Sequence, residues 1–350
     1  MNLLTEDQQK KIKKGIFNLL DNYRLTRIPT NWLIKVLGEP YLAGHSLEEG
    51  LGTVSKEYTD HTRYSTLDIL GESAKSLEDA QRYRTAYNTL LNTIPKGTLT
   101  DVATISVKPS AICFCTETER AVTFDDATPF EGTLEAIVKS AKEKGIGVTL
   151  DMEDNRYTDA SLQVAQSLWS KGYDNLGIVL QSRLNRTLPD IRRILNPFES
   201  YPIPTDKIRV RACIGIYDEP ANIATKDKRI AKKRLIANIQ NLFTFGAYVE
   251  IATHDHEVIH EVVKYIQEQH ISSDRFEFQF LKGVQNAYDI ETELQNQGYK
   301  VRYYMPFEIK EGDGIPYMKR RLIANPDMVI SGAKNMWQQA INYIRHLNKH

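Results

Sequence analysis

Gly147-Val-Thr-Leu-Asp151 and Gly177-Ile-Val-Leu-Gln181 are two short runs rich in β-branched residues, and between them residues 161–171 carry an amphipathic helical pattern. Strand, helix and strand in this order form a βαβ unit, whose crossover is right-handed and whose strands lie parallel. The pattern continues in both directions. Further runs fall at 102–108, 208–213, 248–252, 276–280 and 301–305, with a weaker one at 328–331. Helical patterns such as 134–144 and 230–245 fill the gaps. Seven or eight such units over roughly 250 residues suit a closed (β/α)8 barrel better than an open sheet. No Gly-x-Gly-x-x-Gly follows any run, which removes the phosphate loop of a dinucleotide-binding fold.

Upstream, residues 1–95 read as helical. Ile12, Ile16, Leu19 and Leu20 stand at helical spacing behind a capping box at Thr5-Glu-Asp-Gln8, and a second helical pattern covers 76–91. No strand of alternating character is visible there. The expectation is a distorted TIM-type barrel over 96–350, with an N-terminal helical segment, 1–95, packed on it.

Composition limits the function. The 45 basic and 45 acidic residues give zero net charge, against the basic surplus of a general nucleic-acid binder. Cys113, Cys115 and Cys213 make no disulfide framework and suit a reducing compartment. No apolar run approaches the ~20 residues of a membrane span, and the first residues lack the layout of a signal peptide. A cytoplasmic protein is expected.

Barrel chemistry sits at the C-terminal ends of the strands. Those ends carry Lys108, Asp151 with Glu153, Gln181, Arg211, Thr253 with His254, Gln279 and Tyr304. Helix N-capping would account for Asp151 and Thr253. It does not account for Lys108, Arg211 or Gln279, because buried charges persist where they are paired or used. A ligand site at the barrel mouth is the expectation. Beyond the last clear strand, a helix opening near Pro316 puts Tyr317, Arg320, Arg321 and Ala324 at i, i+3, i+4 and i+7, on one face. Paired guanidinium groups beside a tyrosine suit a carboxylate or phosphate. Taken alone, that face also reads as a solvated basic surface.

Other constellations say less. His254-x-His256-x-x-x-His260 has a spacing compatible with zinc but no distinctive acidic partner, and it reads as an exposed helix start. Asp151-Met-Glu-Asp154 is one acidic cluster, and Cys113-x-Cys115 lacks the gap of a redox pair. No metal site is expected.

Taken together, the strand-end motifs resemble the proline dehydrogenase family. They are Ser106-Val-Lys-Pro-Ser-Ala111, Asp151-Met-Glu153, Val179-Leu-Gln181, Val210-Arg211 with Gly215-x-Tyr217, Ala252-Thr-His254, Glu277-Phe-Gln279-x-Leu-x-Gly283, Tyr304-x-Pro306 and Tyr317-x-x-Arg-Arg321, preceded by Leu67-Asp-Ile-Leu-Gly-Glu72. The match runs in order from about residue 65 to about 325. The resemblance implies an FAD-binding barrel that oxidises L-proline to Δ1-pyrroline-5-carboxylate by hydride transfer to flavin N5, with electrons passed to a quinone and loose contact with the inner membrane. It implies that Arg320, Arg321 and Lys108 hold the substrate carboxylate, that Asp151 orients these cations, and that Tyr304 and Tyr317 wall the pocket. It further implies a Glu72–Arg320 pair on closure and flavin contacts from Gln181, Arg211, Cys213, Gly215, Tyr217, Thr253, His254 and Gln279.

The pattern departs from the family at Ile214-Gly-Ile-Tyr217, where Lys-Gly-Ala-Tyr is usual, and at Ala324, where Glu is common. These departures bear on the substrate. They leave open another cyclic imino acid, hydroxyproline or pipecolate, and a non-catalytic relative that binds flavin or an imino acid. A metal-dependent barrel hydrolase using His254, His256 and Asp151 is the alternative from a different class.

Overall fold

The computed structural model describes residues 38–94, 99–117, 122–127, 129–195, 201–284, 287–310 and 312–324. In chain order the strands are β1 (Tyr64–Ile69), β2 (Ala103–Val107), β3 (Cys115–Glu117), β4 (Val122–Phe124), β5 (Val148–Leu150), β6 (Leu176–Gln181), β7 (Arg209–Cys213), β8 (Tyr248–Ala252), β9 (Phe276–Leu281) and β10 (Val301–Phe307). Eight of them close a parallel barrel in the order β1-β10-β9-β8-β7-β6-β5-β2, while β3 and β4 form a separate antiparallel hairpin. The helices are α1 (Leu47–His61), α2 (Leu77–Thr93), α3 (Pro109–Ile112), α4 (Phe130–Lys142), α5 (Asn155–Ser170), α6 (Thr187–Ile194), α7 (Lys228–Thr244), α8 (His256–Glu268), α9 (Tyr288–Asn296) and α10 (Ile315–Ala324).

The runs at 147–151 and 177–181 are mostly apolar because both faces of β5 and β6 are buried. The core lies between strands and helices, where Leu134, Leu162, Trp169, Leu235 and Ile259 are fully buried. Trp169 donates from Nε1 to the carbonyl of Leu176 at 3.0 Å, so α5 is fixed to the start of β6. Helix starts follow local chemistry. Ser46, Ser76, Asp154, Asp227 and Asp255 each accept a backbone N–H of the helix that follows.

One expectation is overturned. The segment 1–95, expected to be helical, contains β1, which pairs with β10 (Leu67 opposite Met305) and with β2 (Leu67 opposite Ile105) and so closes the barrel. Residues 67–69 therefore belong to a barrel strand, and the barrel begins at Tyr64 rather than at residue 96. Tyr-Ser-Thr-Leu-Asp-Ile lacks an obvious strand signature because this barrel has a polar interior. Thr66 meets Thr104 of β2, hydroxyl to hydroxyl, at 2.8 Å, and Asp68 meets Lys108. The helical patterns near Ile12 to Leu20 and the weak strand at 328–331 lie outside the described residues.

The interior side chains form two polar layers. Nearer the N-terminal ends of the strands, Arg302 of β10 holds Glu277 of β9 with both guanidinium nitrogens that face it, and it reaches across to the carbonyl of Ser65 at 2.7 Å. Lys300 (3.2 Å) and the Tyr248 hydroxyl (3.2 Å) also reach Glu277, and Arg209 pairs with Glu250 at 2.9 Å. Burial alone would raise Glu277. The charges of Arg302 and Lys300 overcome it and hold this carboxyl well below the usual carboxylate range. The second layer lies at the mouth.

Candidate active site

Asp151, the first residue after β5, is the hub of the upper layer. Its Oδ1 accepts from Ser106 Oγ (2.6 Å) and from Arg211 Nη1 (2.8 Å), and its Oδ2 accepts from the Tyr304 hydroxyl (2.6 Å). One carboxylate thus ties β2, β7 and β10 together across the barrel. It is not a helix cap, since Asp154 caps α5. Thr253 is not one either. Asp255 caps α8, and the Thr253 hydroxyl accepts from the Asp255 backbone N–H at 3.2 Å.

Lys108 directly follows β2, with its ammonium in contact with Asp68 of β1 and 3.9 Å from Asp151 Oδ2. Burial works against the Lys108 charge, but the two carboxylates overcome it and raise its pKa. Burial pushes Asp68 up, and Lys108 opposes that. The Asp68 position was not among the sequence-derived site residues. Its signal was an aspartate between Leu67 and Ile69, because a charge inside an apolar run needs a partner.

Arg211 continues the ring. Its Nε donates to Gln279 Oε1 at 2.7 Å, and Gln279 in turn donates to Glu277 at 2.7 Å, which links the upper layer to the lower. The guanidinium lies 5.2 Å from the Tyr304 ring centroid. Its buried Nη2 has no hydrogen-bond partner among the described residues. Gln181 donates to the carbonyls of Met152 (3.2 Å) and Glu153 (2.7 Å), which fixes the chain after β5. Gly215 has φ +94°, and a Cβ there would lie 2.5 Å from Gln181 Oε1, so the loop after β7 reaches this position only as glycine. Ile214 and Ile216, where the sequence departs from the family pattern, are half-buried on either side of it.

Glu153 accepts from Ser110 N at 2.8 Å and from Ser110 Oγ at 2.5 Å. Burial pushes its pKa up to about 7 against those hydrogen bonds, and the Glu72 charge adds to the rise. Ser110 Oγ also accepts from Ser73 N at 2.8 Å, so the loop carrying Glu72 is bound to the same cluster. His254 Nε2 accepts from Leu281 N at 2.9 Å, leaving the proton on Nδ1. Burial first, then the charge of Arg321, push its pKa down to about 4, so this imidazole is neutral.

α10 supplies the remaining cation. The Arg321 guanidinium is 5.2 Å from the Tyr317 ring centroid, and Lys108 Nζ is 5.9 Å from that ring, so Tyr317 stands between the two positive groups. Lys108 and Arg211 have carboxylate partners. Arg321 has none among the described residues, and its buried Nε has no hydrogen-bond partner. The side chains of Arg320 and Ala324 lie outside the described residues, and the expected Glu72–Arg320 pair with them.

The structure brings Lys108, Asp151, Tyr304, Tyr317, Arg211, Gln279 and Arg321 into one connected group, and Gln181, Gly215, Thr253 and His254 stand at neighbouring strand ends. His256 and His260 lie at the start of α8. Both residues are exposed, and among the described residues no three His, Cys, Asp or Glu side chains are placed to hold a metal ion. Cys113 is buried with its thiol pushed up to about 12, first by that burial.

A family model described as proline dehydrogenase matches residues 51–206 and 216–329. The unmatched interval contains Arg211, Cys213 and Ile214. Proline dehydrogenase 1 of Bacillus subtilis (strain 168) is 28% identical over 308 residues, covering 88% of this chain and 93% of that protein. Proline dehydrogenase of Deinococcus radiodurans is 28% identical over 295 residues, covering 83% and 86%. Among solved structures, proline utilization A from Bdellovibrio bacteriovorus, inactivated by N-propargylglycine, has a TM-score of 0.71 at 22% identity. That alignment covers 83% of this chain and 32% of the longer one, and its likeness is one of fold.

Proposed function

This chain belongs to the proline dehydrogenase family, and on that premise we propose that it oxidises L-proline to Δ1-pyrroline-5-carboxylate at the barrel mouth. The observation that carries the reading is Arg321. A cation whose buried Nε lacks a partner, with no acid beside it among the described residues, is costly unless an anion completes it. The substrate carboxylate is that anion, held by Arg321 and Lys108 with Arg320 from the same helix. Tyr317 and Tyr304 wall the ring. Asp151 fixes Tyr304 and Arg211, and Asp68 fixes Lys108, so the donors need little reorganisation when substrate arrives. The same cations disfavour a protonated ring nitrogen beside them, and hydride can leave the adjacent carbon only when that nitrogen is neutral. Holding the carboxylate at one end places that carbon, a positional gain of ~7–11 kcal/mol in the best cases.

The residues present fit FAD. Arg211 offers a buried donor without a partner, and Gln181, Thr253, His254 and Gln279 with Cys213, Gly215 and Tyr217 are the groups that would hold it. FAD held there would supply the two-electron acceptor for the hydride, with a quinone as the eventual electron acceptor. A quinone acceptor implies peripheral contact with a membrane; among the described residues no helix is long and apolar enough to cross one. The half-buried Ile214 and Ile216 favour a second reading in which hydroxyproline or pipecolate is the preferred ring.

The test is to purify the protein, identify any released flavin, and follow dye reduction driven by proline, hydroxyproline and pipecolate. FAD and proline-dependent reduction are expected. A protein that cannot be reconstituted with FAD overturns the reading. A flavoprotein that turns over none of the three substrates is a binding protein rather than an enzyme.

A further inference from the structure

Glu308, directly after β10, is 3% exposed, an unusual place for a carboxylate that touches no catalytic group. Its Oε1 accepts two backbone N–H groups of the turn that leads into α10, Gly312 at 3.2 Å and Gly314 at 2.9 Å. A Cβ on Gly314 would sit 2.9 Å from that same oxygen and 2.9 Å from Leu70, so the turn is drawn tightly onto the carboxylate. The Gly314 carbonyl then accepts from Met318 N at 2.9 Å, which begins the helix bearing Tyr317 and Arg321.

The other oxygen, Oε2, lies 2.9 Å from His45 Nδ1. His45 is itself anchored, because its segment pairs with β10 (Ala43 N to Pro306 O, 2.7 Å; Glu308 N to Gly44 O, 3.1 Å). Its second ring nitrogen is 3.0 Å from Glu39 Oε2, and its backbone N–H donates to Glu49 at 2.8 Å. With carboxylates at both ring nitrogens, only the imidazolium donates to both. Glu39, Glu49 and Glu308 are the charged groups facing it, and the hydrogen bond to Glu308 is the first cause of its raised pKa. A second fastening, Arg82 of α2 to Asp313 at 2.8 Å, holds the same turn from another side.

We propose that Glu308, held by His45, is a positioning residue that sets α10 over the barrel mouth and thereby the affinity for the substrate carboxylate; the kinetic half of this rests on the function proposed above. The latch acts through Tyr317 and Arg321 and touches neither substrate nor flavin. Since the His45 pKa is raised in the folded chain, its contribution is complete below the ordinary histidine value and is lost as pH rises through the raised one.

The experiment compares the holoenzyme with Glu308→Ala, Glu308→Gln and His45→Gln, measuring amide hydrogen exchange over 312–321 and KM and kcat for proline across pH. Glu308→Ala should speed exchange in that segment and raise KM about tenfold with little change in kcat or bound FAD. Glu308→Gln retains an acceptor for Gly312 and Gly314 and should recover most of the loss. The parent's KM should rise with pH through the His45 titration, and His45→Gln should remove that rise. Unchanged exchange in Glu308→Ala overturns the proposal, as does equal damage in the Gln variant or a fall in FAD content and melting temperature along with affinity. If exchange responds as expected but the parent does not oxidise proline, the positioning role stands and the substrate assignment falls.

Discussion

The two polar layers inside the barrel use the same residue types to opposite ends. In the lower layer every cation meets an acid: Arg302 and Lys300 surround Glu277, and Arg209 meets Glu250. In the upper layer Asp68 and Asp151 serve Lys108 and Arg211, while Arg321 arrives from α10 with no acid among the described residues. Both layers are charged, and what sets Arg321 apart from the other cations of the two layers is that no acid stands beside it among the described residues.

The contrast breaks most readily from below. Arg302→Met leaves Glu277 with Lys300 as its remaining cation and should cost about 3–5 kcal/mol of stability. Adding Glu277→Gln should return much of that, because a neutral amide needs no counter-charge. Chemical denaturation of the single and double variants measures both. An Arg302→Met protein as stable as its parent would show that the lower layer is not held by its charges.

At the mouth the same substitution should act on chemistry instead. Arg321→Met keeps most of the stem's packing and removes the fork. The expected fall in kcat/KM for proline is at least ~100-fold, or about 3 kcal/mol, with melting temperature and FAD content unchanged. Normal kinetics would return α10 to a solvated basic face.

The smallest effect separates the layers by pH. Glu277 is held too low to titrate near neutrality, whereas Glu153 at the mouth is pushed up to about 7, first by burial. A carboxyl raised in the folded state destabilises it progressively as pH climbs from the unfolded value to the folded one. Between about pH 4.5 and pH 7 the parent should therefore lose stability relative to Glu153→Gln, by something on the order of 1–3 kcal/mol. Parallel stability curves for the two proteins would show that Glu153 is ionised throughout.

Much of this was legible in the chain. Buried parallel strands read as apolar β-branched runs, and their polar terminal residues stand out against that background. Asp154 and Asp255 show where local reading fell short. Each lies within three residues of a site position, and only geometry shows that they cap helices while Asp151 and Thr253 do not. β1 is not legible because hydrophobic patterning presumes an apolar interior, and Thr66 and Asp68 face polar groups inside the barrel.

By itself the sequence determined the alternation of strand and helix, the polar ends of the strands and the tyrosine–arginine face of α10. These are properties of neighbours along the chain, set by periodicity and local propensity. The tertiary structure alone decided the partners. Asp68 meets Lys108 because β1 closes the barrel beside β2, Asp151 gathers three strands, and Glu308 meets His45 across 263 positions of sequence. A buried charge must find a partner, but nothing in a linear chain says which distant residue that is until the strands have paired.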